Sequence, residues 1–304
     1  MSVDDPMDDK LARQQAHDRS GLADRTLMDR YVERRDLVAF VDETHRQAES
    51  GKSAYYGLAV TVFHADDLPE IRNDLRAIAG NTYWHATEAY QDLEQRGTIA
   101  QVNQYVAERT ALPVAVFEVR NRNFSPADER AVRDACLDQT LRALDREFVT
   151  DVVMETFTAS EAHNVDQDQF VLKKLRGAGV VSDEMWIHHA STGKERALWA
   201  PDAVAWSLQR HHFGQREGDS THIAPLAGTL REVHAFTGAE RVFPVVSPKA
   251  HTDRRAARAM PLGALAAKVE TARAAYRRGE PPTLEDGPRR QPPHRPGPPP
   301  PTRS

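Results

Sequence analysis

Apolar runs alternate with helical periods between residues 36 and 212 of the 304-residue chain. Runs of branched and aromatic residues predict strands, and apolar residues that recur every three or four positions predict helices. The predicted strands are 36–42, 54–63, 112–119, 148–156 and 184–190. The predicted helices are 67–80, 98–109, 125–144, 166–177 and 197–211. This alternation predicts an α/β fold, in which helices cover a sheet and right-handed crossovers join its parallel strands.

Only about a dozen residues separate the first two predicted strands, 36–42 and 54–63. A helical crossover between parallel strands needs a longer connection, so we expect these two strands to be antiparallel. The five-stranded sheet is therefore predicted to be mixed.

The two ends of the chain differ from the central part, which is predicted to fold as one domain over 36–212. Residues 1–35 are rich in Asp, Arg and Gln, and they predict a helical or flexible leader, or a docked helix around Leu22 to Tyr31, that is not part of the core. Residues 213–280 predict a mostly helical extension, with helices at 221–236 and 262–279. Ten prolines in residues 281–304 predict a disordered, proline-rich tail.

The composition excludes several classes of protein. The formal charge of −5, from 40 basic and 45 acidic side chains, is unlike that of a protein that binds polyanions through its bulk charge. The single cysteine, Cys136, excludes disulfides and cysteine-based zinc sites and is predicted to be a core residue. The sequence shows no secretory signal and no apolar run of about 18 residues, which predicts a cytoplasmic protein without a membrane span. Glycine-rich phosphate loops, dinucleotide fingerprints and nucleophile elbows are also missing.

Acidic side chains lie where predicted strands end. Asp42 and Glu43 follow the first apolar run, and Glu155 follows the fourth. Ligands of α/β sheets bind outside the carboxyl ends of the strands, so these acids are candidates for one site. Carboxylates within about 4 to 6 Å of one another raise each other's pKa unless a cation joins them. Mg²⁺ and Mn²⁺ prefer such oxygen ligands, so we expect one of these ions to be the cofactor.

Three further residues are candidates for the same site. Asp202 lies in an otherwise apolar helix, where a carboxylate without a partner is costly. Glu88 lies in a predicted helical stretch, and His85, three residues earlier, has the chemistry to contact a phosphate or to activate water. Structural alternatives remain: turn formation for Asp42 and Glu155, helix capping for Asp202, and a surface position for Glu88 and His85.

Five short segments follow one another in the predicted domain, namely FVDET, YYGLAVTVF, YWHATE, VVMET and WAPDAVAWS. Taken in order, these segments resemble the proteins catalogued as domain of unknown function 3800, which are similar to ribonuclease H-like enzymes. Thr44 stands where the family usually has Ser, Glu155 where it has Asp, and Pro201 where it has Ala. The resemblance covers residues 36–212 and implies a mixed sheet whose first three strands are antiparallel and whose other strands are parallel.

The resemblance also implies a function, cleavage of phosphodiester bonds in RNA, DNA or a hybrid by a nuclease that depends on Mg²⁺ or Mn²⁺. The implied metal ligands are Asp42, Glu155 and Asp202, with Glu88 as a fourth. In this hypothesis Asp42 bridges two ions, while Glu155 and Asp202 hold one ion each. Glu88 would orient the attacking water and His85 would steer it.

Two other functions stay open at this point. The first is a catalytically inactive ribonuclease H-like module that binds nucleic acid or a protein partner. Its binding segments would be the basic helix 262–278 and the proline-rich tail. The second is a hydrolase that acts on nucleosides or nucleotides with the same metal site.

Overall fold

The computed structural model describes residues 6–48, 53–80, 83–120, 122–156, 162–213 and 221–244. The helices of these residues are α1 Pro6–Arg19, α2 Arg25–Glu33, α3 Leu68–Ala79, α4 Ala86–Gln91, α5 Arg96–Arg109, α6 Pro126–Arg146, α7 Ala162–Gly177 and α8 Trp199–Phe213. The strands are β1 Leu37–Arg46, β2 Ala54–His64, β3 Val114–Arg120, β4 Asp151–Glu155, β5 Trp186–Ala190, β6 Arg231–His234 and β7 Glu240–Val242. None of the described helices combines the length and the hydropathy needed to cross a membrane.

The seven strands form one mixed sheet in the order β5-β4-β1-β2-β3-β6-β7. The predicted antiparallel pairing of the first two strands is confirmed, and β3 is antiparallel to β2. Strands β4 and β5 continue in parallel from β1, and β6 is parallel to β3. Strand β7 closes the far edge antiparallel to β6. The α/β class and the mixed sheet are therefore confirmed, but the predicted count of five strands was too low for the described residues.

The two additional strands come from the region predicted to be a mostly helical extension. The helix predicted over 221–236 is wrong, because a short 3-10 helix at Ala224–Leu226 is followed by β6. Gly228 has a φ of 84°, a left-handed conformation that interrupts a helix and suits glycine. Pairing with the open edge of β3 overrides the local helical pattern, since a strand gains its ladder from its neighbour. The helix predicted at 262–279 and the tail at 281–304 lie outside the described residues.

The segment 1–35 was predicted to lie outside the core, and its second helix contradicts that prediction. Helix α2 begins after Asp24, whose carboxylate accepts a hydrogen bond of 3.1 Å from the Leu27 amide. Its apolar side chains are all buried in the main core, namely Leu27, Met28, Tyr31 and Val32. Helix α2 is therefore part of the folded domain.

Helices pack on both faces of the sheet and define two cores. Helices α2, α3, α5 and α8 contribute to one core, on what we call the α8 face, and α6 and α7 contribute to the other, on the α6 face. Strand β1 does not end at Asp42 and Glu43, as predicted, but continues to Arg46. Since neighbouring residues of a strand point to opposite faces, Asp42 follows Phe40 onto the α8 face and Glu43 follows Val41 onto the α6 face.

The side chain of Tyr55 leaves no room for a Cβ atom at Gly57, in the middle of β2 and on the same face of the sheet. A Cβ atom at this position would lie 2.8 Å from Tyr55 Oη, and Tyr55 is buried. We expect Gly57→Val to lower the free energy of unfolding by about 1 to 3 kcal/mol through overpacking. Chemical denaturation of Gly57→Ala, Tyr55→Phe and the double variant checks the cause. Gly57→Ala should lower the free energy of unfolding less in the Tyr55→Phe background than in the wild type, because the hydroxyl is then missing. A double variant whose loss equals the sum of the two single losses would contradict this explanation.

Candidate active site

Three of the predicted site residues meet on the α8 face of the sheet. Asp42 is buried in the middle of β1, and Glu155 ends the adjacent parallel strand β4. The register pairs Val41 with Met154, so Asp42 and Glu155 are the next residues along the two strands. Asp202 is buried in the first turn of α8, which packs on β1, and its charge acts on both Asp42 and Glu155. The fold therefore brings together three carboxyl groups that are far apart in the sequence.

Asp42 and Glu155 form a pair of carboxyl groups, the first buried and the second half-buried. Burial raises the pKa of Asp42 well above its usual range, and the charges of Asp202 and Glu155 raise it further. Burial also raises the pKa of Glu155 to about 7, although a hydrogen bond with Asp42 lowers it. A hydrogen bond between two carboxyl groups requires that one of them carries a proton. A cation is the alternative way to offset the negative charge at this point.

Asp202 is held by the segment that leads into α4. Its Oδ2 atom accepts a hydrogen bond of 2.8 Å from the amide of Ala86, the first residue of α4. The same oxygen lies 3.0 Å from Nδ1 of His85. The hydrogen bond to Asp202 raises the pKa of His85 to about 9, with further contributions from the charges of Asp202, Glu155 and Glu88. His85 is therefore a cation at neutral pH, which suits contact with a phosphate and not abstraction of a proton.

The remaining members of the site lie at its edge. Glu88 is exposed on α4, and its charge raises the pKa of both His85 and Tyr83. We call Asp42, Glu155 and Asp202 the acidic cluster. Glu88 is thus near the acidic cluster but exposed to solvent. Thr192, which the sequence did not single out, donates a hydrogen bond that lowers the pKa of Glu155. It lies in the turn after β5, where a Ser-Thr-Gly segment has no pattern that distinguishes it from an ordinary turn.

Glu43 belongs to a different network, on the α6 face. Its Oε2 atom accepts a hydrogen bond of 3.0 Å from Nε of Arg133, a residue of α6. The same guanidinium binds both carboxylate oxygens of Asp168, which also lies 2.8 Å from Nε2 of His189. Two adjacent carboxylates in β1 thus serve two faces, one in the acidic cluster and one in an ion-pair network.

The donor atoms of the cluster match a hard divalent cation in their chemistry. Apart from a proton that the two groups can share, Asp42 Oδ1 and Glu155 Oε2 are buried without a hydrogen-bond donor in the part of the chain that is described. Buried oxygens of this kind are costly unless a proton, a water or a metal satisfies them. Within the same residues, however, no group of three or more His, Cys, Asp or Glu side chains is arranged as a ready-formed metal site. The fit therefore rests on two carboxylates with free oxygens and on a third, Asp202, that His85 already contacts.

The pKa of His85 predicts how stability depends on pH in the metal-free protein. The pKa of His85 is raised from 6.5 to about 9, so folding favours the protonated form, and its contribution is lost as pH rises from 6.5 to 9. After discounting for partial exposure, the loss is on the order of 2 kcal/mol. Urea denaturation in EDTA should show this decline, and His85→Gln should make it smaller. Equal pH profiles for the two proteins would contradict the prediction.

Other groups also titrate, so the difference between the wild type and His85→Gln is the measure of His85. Asp42, whose pKa burial raises, adds a decline of the same sign. Burial lowers the pKa of His17 from 6.5 to about 4, so its contribution to stability grows as pH rises through that range. Glu155 has its pKa raised from 4.5 to about 7, so its contribution falls over most of the same range.

No family model matches the sequence, and no curated protein matches it at the level required for a relationship.

Proposed function

We propose that this protein is a divalent-metal-dependent hydrolase of phosphodiester bonds in nucleic acid, with a ribonuclease H-like core. The observation that carries the proposal is the convergence of Asp42, Glu155 and Asp202 on the α8 face, where Asp42 Oδ1 and Glu155 Oε2 have no hydrogen-bond donor among the described residues other than a proton that the two groups can share. A divalent cation would replace that proton and offset the charge of the three acids when all are ionised.

The arrangement of the first five strands supports the ribonuclease H-like part of the proposal. Strands β1, β2 and β3 are antiparallel, and β4 and β5 are parallel to β1, which is the pattern implied by the resemblance. Strands β6 and β7 extend this sheet beyond β3. Asp42 and Glu155 lie on β1 and β4. Strands β2 and β3 separate β1 from the two added strands, so the extension does not reach these acids.

Each residue of the cluster has a role in the proposed reaction. Asp42, Glu155 and Asp202 would hold Mg²⁺ or Mn²⁺, which would offset their charge, polarise a phosphoryl oxygen and lower the pKa of an attacking water. His85, protonated at neutral pH, would attract the phosphate and hold Asp202 in place. Exposed Glu88 would orient water at the edge of the site.

A cleavage assay with the full chain tests the proposal. Labelled single-stranded RNA, single-stranded DNA and an RNA–DNA hybrid are incubated with the protein in Mn²⁺, in Mg²⁺ and in EDTA. The proposal expects cleavage of at least one strand with either ion and none in EDTA. Stable protein that leaves all three substrates intact in both ions would refute it.

A non-catalytic binding module is the second candidate, and a specific observation favours it. No ready-formed group of three metal ligands exists among the described residues, and His85 contacts Asp202 as a counter-ion. A binding module would hold the same nucleic acids in EDTA and in Mn²⁺ with equal affinity, and it would leave them uncut. The same assay therefore separates the two functions.

A further inference from the structure

Two arginines lie over one tyrosine ring beside the acidic cluster. The guanidinium of Arg96 lies 4.6 Å from the ring centroid of Tyr90, and that of Arg210 lies 4.5 Å from it. Arg210 also lies 5.1 Å from the ring of Trp206, whose centroid is 4.7 Å from that of Tyr90. We call these four residues the arginine–aromatic cluster.

The two guanidinium groups have capacity for an anion. Neither Arg96 nor Arg210 forms an ion pair with a carboxylate of the described residues, and both are partly exposed. Arg96 uses Nε to donate a hydrogen bond of 2.9 Å to the carbonyl of Tyr90. A guanidinium has five N–H donors in its plane. Stacking on a ring covers a face of the guanidinium and leaves available the in-plane donors that are not already used. In a chain with more acids than bases, two such arginines around one ring are a local site for negative charge.

Helices α4 and α8 connect this cluster with the acidic site. At one end the Ala86 amide binds Asp202, and four residues later in both helices Tyr90 contacts Trp206. The two helices therefore run side by side in the same direction. Arg210 is eight residues beyond Asp202, which is roughly 12 Å along the helix axis. That distance corresponds to roughly three to four nucleotide steps at the rise of a strand in duplex DNA.

We propose that the arginine–aromatic cluster binds the phosphate backbone of a single-stranded segment of the nucleic acid whose cleavage is proposed for the acidic site. The inference rests on that proposed function, and it assigns where the substrate is held. An acidic cluster repels a polyanion, so affinity must come from basic groups near it. Arginine is suited to this because its planar fork binds phosphate oxygens in pairs. The partly exposed guanidiniums also offer flat faces on which unpaired bases stack, which favours a single strand over a duplex.

The structural alternative is that the arginines only pack α4 against α5 and α8. In that case Arg96, the first residue of α5, and Arg210 of α8 stabilise the fold by stacking on Tyr90 of α4, and removing their charge would not change affinity for nucleic acid. Substitution by glutamine tests this because it keeps much of the side-chain length while removing the charge.

Fluorescence anisotropy tests the proposal with the full chain and a labelled single-stranded oligonucleotide in EDTA, where no cleavage occurs. The test variant is Arg96→Gln/Arg210→Gln, and the control is Arg122→Gln/Arg130→Gln. The control arginines are exposed, on α6 and the loop before it, and they change the net charge equally. We expect the test variant to raise Kd at least tenfold, and to lower the slope of log K against log salt by about 1.4, which corresponds to two lost phosphate contacts. The control should bind as the wild type does.

Several results would overturn the proposal. They are equal binding by the test variant and the wild type, equal losses in the test and control variants, no binding by the wild type, and tighter binding of a duplex than of the single strand.

The assay also separates this inference from the proposed function. Binding that depends on the arginines without any cleavage in Mn²⁺ would leave the surface intact and refute the hydrolase. Cleavage with an unchanged KM in the test variant would leave the hydrolase intact and refute the surface.

Discussion

Replacing Glu195 with alanine is expected to lower the free energy of unfolding by about 3 to 5 kcal/mol. Glu195 and Arg72 are both fully buried and joined by two hydrogen bonds, Nε to Oε1 at 2.8 Å and Nη2 to Oε2 at 2.6 Å. Removing the carboxylate would leave the guanidinium buried beside His17, Ser20 and the ring of Tyr31, without the carboxylate that balances its charge. Equilibrium denaturation in urea measures the loss, with the midpoint and the slope fitted separately.

Two further variants show whether the buried charge is the cause. Glu184→Ala breaks an exposed pair with Arg34 and should cost less than about 1 kcal/mol. Replacing both buried partners, as Arg72→Met/Glu195→Leu, should recover most of the stability, since no charge then lacks a partner. A loss below about 1 kcal/mol for Glu195→Ala would contradict the assignment.

The Glu195 network also supports the acidic site. Glu195 Oε1 accepts a hydrogen bond of 2.9 Å from the Ala197 amide, just before α8 begins. The same loop carries Thr192, and α8 carries Asp202. The buried pair thus connects the N-terminal helices to the segment that positions two residues of the site, so activity should fall with stability in Glu195→Ala.

Asp42→Asn is expected to reduce kcat/KM for nucleic-acid cleavage by about a thousandfold or more. The substitution preserves shape and removes the charge that burial and two neighbouring acids already make costly. Loss of a charged ligand removes several kcal/mol of transition-state stabilisation, and each 1.36 kcal/mol is tenfold in rate. Initial rates with the cleaved substrate in Mn²⁺ measure the effect. Stability in EDTA should be unchanged or higher, because repulsion within the cluster is reduced.

Glu43→Gln is the matched control for Asp42→Asn. It removes the same charge one residue later in β1, but on the α6 face, where Arg133 keeps Asp168 as a second partner. Its cleavage rate should stay within about threefold of the wild type, because a residue outside the site makes no contact that strengthens in the transition state. Similar losses in the two variants would show that neither residue has a specific role.

The strands and most helices follow from local patterns, and the longest are the best predicted. Helix α6 is an example, because Ser125 and Asp128 form a capping box at its start and Pro126 fills its first turn. The predicted core position of Cys136 is also confirmed. Strands β6 and β7 were missed because they are short, and because β6 depends on pairing with β3, which is far away in sequence.

The residues of the candidate site also differ in how far local sequence patterns predicted them. Asp202 was found because a carboxylate in an apolar helix is a local anomaly, and the fold places it beside Asp42 as expected. The interpretation of Asp42 and Glu43 as a pair at a strand end was wrong, because β1 continues and alternation separates them. The contact between His85 and Asp202 had no local signal, since it joins a loop to a helix more than one hundred residues later.

The central claim is that Asp42, Glu155 and Asp202 share a divalent cation, and calorimetric titration with Mn²⁺ tests it most directly. We predict saturable binding by the wild type and by Glu43→Gln, and loss of that binding in Asp42→Asn. Binding that is equal in wild type and Asp42→Asn, or absent from the folded wild type, would contradict the account.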